Sequence, residues 1–292
     1  MTNHIFKVID PHVHFFDLEK GRYAWLQPNN EPNWENKDLI AKNFGPQDLV
    51  LNNQMFLSGY VHIEAGFNNE QADTELAWLN TFEHRHKAIA CCDLTQTHED
   101  FKSNVIACEQ FQSLQGFRHI LDEDVNVILG HMNTQTNIAE INSGHYVFEC
   151  QINANLEVSF DLLHHYIRQT PNIKWVINHA GKPDLSADDN GTFWQNNMRK
   201  FAEHKNVYVK FSGFEMSCTS YHYRDLVKCM AILTSIFPQE RIMCASNFPV
   251  ILLKHSYVEY WQTIIRVCNE LNVDTDMLIY ANAKKIYGFS DN

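Results

Sequence analysis

Ile5-Phe6-Lys7-Val8-Ile9-Asp10-Pro11-His12-Val13-His14-Phe15-Phe16-Asp17 is the stretch from which the rest of the chain can be read. A short apolar run, 5–9, stops abruptly at a carboxylate, a proline and two imidazoles. In an extended chain side chains two apart share a face, so His12 and His14 lie side by side, about 7 Å apart along the strand, able to converge on one metal ion. Moving outward, seven more apolar runs occur, and most end in the same way. Run 59–63 stops at Glu64-Ala65-Gly66, 88–92 at Asp93, and 117–121 at Asp122-Glu123-Asp124. Runs 146–152 and 173–177 follow, the latter stopping at Asn178-His179-Ala180-Gly181. Run 207–211 stops at Ser212-Gly213, and 241–245 at Ser246-Asn247-Phe248-Pro249.

Between the runs lie segments with helical spacing of apolar residues, at 70–82, 156–168, 192–204, 222–237 and 257–271. Strands that read as continuous apolar runs are covered on both faces, and eight of them alternating with helices predict an α/β fold, a (β/α)8 TIM barrel. An open doubly wound sheet is the alternative. One domain is expected over 1–292, because α/β barrels routinely use about 250 residues as a unit. A long irregular first βα loop is expected at about 15–46, where residues 21–46 are rich in Asn, Pro and Trp, and a second loop at 184–191.

Composition narrows the function. With 35 acidic and 23 basic residues the formal charge is −12 over 292 residues, which argues against nucleic acid as a partner, since phosphate binding wants a basic face. The longest apolar stretches fall far short of the about 20 residues that span a membrane, so no membrane partner is expected. The beginning of the sequence lacks a basic segment followed by an apolar one, which points to the cytoplasm. Eight cysteines are scattered with no CxxC pair and read as buried, reduced thiols. Oligomeric state is not legible.

In a barrel the active site lies at the C-terminal ends of the strands, so the residues where each run stops are the candidates. His12, His14 and His179 then form a candidate metal site, with Asn247 at the equivalent position on the eighth strand. A His-x-His pair alone is weak among 16 histidines, as His84 and His86 show, and position supplies the discrimination.

The first-strand Ile9-Asp10-Pro11-His12-Val13-His14-Phe15-Phe16-Asp17 resembles the signature of the amidohydrolase superfamily. Tyr23-Ala24-Trp25-Leu26, Gly116-Phe117-Arg118-His119-Ile120-Leu121, Asn178-His179-Ala180-Gly181-Lys182-Pro183, Val209-Lys210-Phe211-Ser212-Gly213, Ser246-Asn247-Phe248-Pro249-Val250 and Asn282-Ala283-Lys284-Lys285-Ile286-Tyr287-Gly288-Phe289 resemble its sugar-lactone hydrolases, those related to fuconolactonase and rhamnonolactonase. The resemblance implies a barrel that hydrolyses a small cyclic ester, a sugar lactone. It also implies one divalent metal on His12, His14 and His179, zinc by the imidazole donor set, although some relatives work without any.

The same resemblance places an acid where Asn247 stands, and another where Asn178 stands. An amide cannot accept the proton that attacking water gives up. Three readings follow: a hydrolase in which Glu64, Glu149 or Glu215 takes the proton, a weak hydrolase without a dedicated base, or a non-catalytic binder of lactones or sugar acids. Glu64 is the preferred substitute, because it shares a face of the second strand with His62. Arg118, Trp25 and His62 are candidate substrate-binding residues: a guanidinium suits a carboxylate or ring oxygen, and an indole a sugar ring. The structural alternative for Arg118 is a rim ion pair with Asp122 or Asp124. Lys182 reads as a loop-ordering residue and Lys210 as a paired charge inside the barrel.

Overall fold

The computed structural model describes residues 5–186, 191–217 and 220–290. Among them eight strands, β1 (Phe6–Val13), β2 (Met55–Ile63), β3 (His86–Cys91), β4 (Leu114–Ile120), β5 (Val147–Gln151), β6 (Lys174–Ile177), β7 (Val207–Phe211) and β8 (Ile242–Cys244), form one sheet in sequence order, every paired neighbour parallel. The sheet curls until β1 meets the segment after β8. Val13 bridges Phe248, the Asn247 N–H donates to the His12 carbonyl at 3.0 Å, and the His14 N–H donates to the Phe248 carbonyl at 2.6 Å. Asp10 fastens the same seam by accepting the Ser246 N–H and hydroxyl at 3.0 and 2.5 Å. The fold is thus a nearly closed (β/α)8 barrel, and the open-sheet alternative falls away.

Ten α-helices connect the strands among the described residues: α1 (Ala72–Leu79), α2 (His98–Glu109), α3 (Val125–Leu129), α4 (Thr134–Ser143), α5 (Asp161–Gln169), α6 (Thr192–Ala202), α7 (Phe214–Ser217), α8 (Tyr223–Ile236), α9 (Tyr257–Leu271) and α10 (Asn282–Ile286). One large apolar core fills the layer between barrel and helices. A smaller one joins Ile9, Val61, Ile63, Ile89, Val147, Val176 and Met243 to the chain-terminal Ile286, Tyr287 and Phe289. Burial of those residues removes nearly all of their surface from water, at about 25 cal/mol per Å² of apolar area. No helix among the described residues is long and apolar enough to cross a membrane.

Between β1 and β2 the chain forms no strand or α-helix; three single 3-10 turns, Ala24–Leu26, Lys37–Leu39 and Pro46–Asp48, punctuate it. A Phe16–Phe44 bridge ties its ends together, and the Trp25 indole N–H donates to the Ala65 carbonyl at 2.8 Å. The loop expected at 184–191 lies partly outside the described residues, as does Cys218; the seven described cysteines are free thiols.

Candidate functional site

His12 and His14 approach each other at the end of β1, Nε2 to Nε2, at 3.2 Å. Their tautomers follow from their neighbours. His14 Nδ1 faces the Ile63 carbonyl at 2.9 Å, so it carries the hydrogen and leaves a lone pair on Nε2. His12 Nε2 therefore donates to it, and His12 Nδ1 accepts from Lys210 Nζ at 3.2 Å. The His179 ring lies beside His12, centroids 4.6 Å apart, with its Nδ1 on the Ser212 hydroxyl at 3.0 Å. Burial holds all three imidazoles well below their ordinary pKa, and the cations Lys210 and Arg118 push the same way.

His179 comes from a tight turn after β6, Asn178–Gly181, in which His179 and Ala180 have left-handed φ of 51° and 52°, followed by Lys182 at 55°. Asn247, after β8, has φ 60°, a left-handed conformation that asparagine tolerates better than most residues. Such sparsely populated conformations gather at this end of the barrel, as they do at functional sites generally. Gly213, with φ 74°, is required for closeness: a Cβ there would stand 2.3 Å from His179 Nδ1.

Both amides at the positions of interest are held by buried glutamates. Asn247 Nδ2 donates to Glu215 Oε1 on α7 at 2.7 Å, and Glu215 Oε2 has no partner. Burial pushes the Glu215 carboxyl up to about 7, with Asn247 pulling weakly the other way. Asn178 Nδ2 donates to Glu149 Oε2 on β5, which also pairs with Lys210 Nζ at 2.7 Å, while the Tyr287 hydroxyl donates to Glu149 Oε1. Lys210 is thus a paired charge inside the barrel. Burial lowers it to about 8 against the pull of Glu149.

The strand ends open into a cavity of about 790 Å³ lined by His14, His179, Asn247, Glu64, Arg118 and Trp25, among others. A depression of about 780 Å³ within the first loop shares only Arg22 and Trp34 with it and holds none of the histidines. Arg118 does not pair with Asp122 or Asp124. It pairs with Glu64, Nε and Nη2 both falling on Oε1 at 2.7 and 2.6 Å, and reaches Gln151 at 3.4 Å. Asp122 instead takes Lys182 at 2.7 Å and Gln151 at 2.8 Å. Burial raises the Glu64 carboxyl, with Arg118 opposing. Trp25 lines the cavity while its indole N–H anchors the loop.

His62 is fully buried and is not among the residues lining the cavity. The Phe15 N–H donates to its Nδ1 at 3.3 Å, so its Nε2–H donates to Glu75 at 2.9 Å. With both nitrogens committed, His62 cannot bind substrate as the sequence suggested; it stiffens the wall behind His14 and Phe15. Glu75, Ser212 and Gln151 are the contributors that sequence reasoning missed. Each is a polar residue within or beside an apolar segment, a weak signal that only a partner in space makes specific.

For a metal ion, the donor set is a suitable one, since neutral imidazole suits zinc. His14 Nε2 presents a lone pair and sits 3.2 Å from the second donor, a separation one ion can bridge. Among the described residues, however, no group of three His, Cys, Asp or Glu side chains is already arranged to hold a metal. A pair is preformed, with His179 adjacent, and His12 must first give up the hydrogen on Nε2.

The family model described as Amidohydrolase matches residues 9–289. L-fucono-1,5-lactonase of Burkholderia multivorans is 23% identical over 86% of this chain and 85% of its own. L-rhamnono-gamma-lactonase of Scheffersomyces stipitis is 24% identical over 61% and 60%. A crystal structure of a Burkholderia multivorans amidohydrolase with bound zinc superposes with a TM-score of 0.81 at 21% identity, covering 97% of this chain and 99% of that one.

Proposed function

The chain belongs to the amidohydrolase family, and we propose that it hydrolyses small cyclic esters, sugar lactones, in the cavity at the C-terminal ends of its strands. The observation that carries this reading is the strand-one imidazole pair, 3.2 Å apart, of which His14 lines a cavity that also holds His179, Glu64, Arg118 and Asn247, with His12 buried directly behind it. The two lactonase-named relatives support it and favour turnover over mere binding. One divalent ion, zinc by the donor set and by the zinc in the related structure, would be held by His12 and His14 with His179 as third ligand. Bound there, it would polarise the ester carbonyl and acidify water.

The chain's own groups supply the rest. Glu64 is the proposed proton acceptor, since Arg118 engages only its Oε1 and burial has raised its affinity for a proton. Arg118 holds that carboxylate in place, donates from Nη2 to the Glu64 carbonyl as well, and offers its one remaining Nη1 N–H to the ester oxygens. Asn247 cannot take a proton, but its Oδ1 can accept a hydrogen bond from water or substrate, because Glu215 occupies its Nδ2. Trp25 offers an apolar face to the sugar ring.

The test is hydrolysis of a panel of aldonolactones by the purified protein, with metal content measured by mass spectrometry after gentle dialysis. Glu64→Gln is expected to lower kcat by roughly 10² to 10⁴, the contribution of a positioned base. The combined His12→Ala and His14→Ala variant is expected to lose both metal and activity. Undiminished activity in Glu64→Gln would remove Glu64 from the reaction, and undiminished metal in the double variant would remove the proposed ion site.

A further inference from the structure

Five polar side chains at or just past the ends of β2, β4, β5 and β6 form an unbroken chain along the cavity. Glu64 pairs with Arg118, Arg118 reaches Gln151, Gln151 donates to Asp122, and Asp122 pairs with Lys182. All five line the cavity. We propose that this wall selects a neutral, polyhydroxylated cyclic ester and rejects one that carries a free carboxylate. The proposal rests on the lactonase reading above and narrows its substrate class.

The argument is one of charge already spent. Three cations line the cavity, and each is opposed by a carboxylate: Arg118 by Glu64 at 2.6 Å, Lys182 by Asp122 at 2.7 Å, and Arg22 by Glu70 at 3.2 Å. Glu31 and Glu123 line it as well, so five carboxylates face three cations. An incoming carboxylate finds no unopposed side-chain cation in the wall and has to compete for one with a carboxylate already in place.

A hydroxyl group meets no such penalty. It donates and accepts at once, and the wall alternates acceptors with donors. Asp122 Oδ1 in particular is buried in the cavity wall with no partner, while Lys182 and Gln151 both fall on Oδ2.

The same wall acts on the product. Water adds across the ester: its oxygen bonds to the acyl carbon, the acyl carbon–ring oxygen bond breaks, and the ring oxygen leaves with a proton as a hydroxyl. The new carboxylic acid then loses its proton to solvent. A neutral substrate thereby becomes an anion whose new carboxylate meets no unopposed side-chain cation in the wall, which favours its departure.

Kinetics on matched lactones test this. For the parent, kcat/KM is expected to be at least tenfold higher for a neutral aldonolactone than for the aldarolactone of the same ring size, which differs by a free carboxylate. Asp122→Asn keeps the shape and leaves Lys182 unopposed. It should lower KM for the aldarolactone roughly tenfold, raise KM for the neutral lactone a few-fold, and tighten inhibition by the product aldonate. Equal parental efficiency on both lactones, or an Asp122→Asn variant with the parent's selectivity, overturns the proposal. If no lactone is turned over, the lactonase reading fails; calorimetric binding of a neutral aldonolactone against the aldarate then still tests the wall, equal affinities overturning it.

Discussion

The Glu149–Lys210 and Asp122–Lys182 pairs are the same bond, a lysine ammonium 2.7 Å from a carboxylate oxygen, in two different places. The first is sealed in the barrel, both side chains 0% exposed, and is wrapped by Tyr287, Asn178 and His12. The second faces the cavity at 21% and 16% exposure, with one carboxylate oxygen left unpartnered. What separates them is the cost of unmaking them. Inside, no water can replace a lost partner, so the pair fixes how β5, β7 and the chain's end sit behind His12. At the cavity, a ligand or water can take over, so the pair is free to discriminate.

The largest expected effect breaks the interior pair. Glu149→Gln leaves Lys210 buried without its counter-ion and is expected to cost about 3–5 kcal/mol in denaturant unfolding. Replacing both members by apolar residues of similar volume should recover most of that loss, because an uncompensated charge and not a lost attraction is what destabilises. A Glu149→Gln variant as stable as the parent would mean that the interior and cavity pairs do not differ as described.

Glu215 sharpens the contrast from the other side, being buried like the interior pair but facing only a neutral amide. Its carboxyl is raised from 4.5 to about 7, chiefly by burial, so the folded state holds its proton more tightly than the unfolded one. Stability is therefore lost as pH rises from about 4.5 to 7, by on the order of 3 kcal/mol. Asp10, raised by burial to about 6, acts with the same sign over a lower window. Glu215→Gln should match the parent near pH 4.5 and exceed it at pH 8 in a series of melts; parallel curves would discard this account. Asn247→Asp should then disappoint as a restored acid, because its carboxylate would stand against Glu215 and the two would share one proton. Adding Glu215→Gln to it should recover the activity that Asn247→Asp alone does not reach.

How much of this was legible in the sequence depended on range. Each strand's apolar run was visible because both faces of a parallel barrel strand are covered. Its limits were not: β1 runs on to Val13, past a run that breaks at Asp10, because that buried carboxylate is satisfied by Ser246, 236 residues away. Helix α2 was missed because it buries only Phe101, Val105 and Cys108, too sparse a stripe to stand out. Helix α4 was missed because it docks partly through Asn137, which donates to the Leu94 and Gln96 carbonyls. At the site, the imidazoles were legible from their place at strand ends. Arg118 was read with nearby acids, yet its partner Glu64 lies 54 residues back, and the Asn247–Glu215 contact has no local trace at all.

The smallest expected effect is the one that makes the comparison quantitative. Asp122→Asn removes a carboxylate from a pair that is partly open to the cavity, where water can solvate the freed ammonium, and Asn keeps an acceptor for Gln151 Nε2. Partly exposed pairs of this kind contribute roughly 0–1 kcal/mol, so denaturant unfolding should move by less than that while substrate selectivity shifts about tenfold. The ratio of the two losses, several kcal/mol at Glu149 against under about 1 at Asp122, measures how far solvent access separates two bonds of equal length. Should Asp122→Asn prove as damaging to folding as Glu149→Gln, the cavity pair would be part of the barrel's framework, and any change in its selectivity would reflect a disturbed fold and not a read hydroxyl.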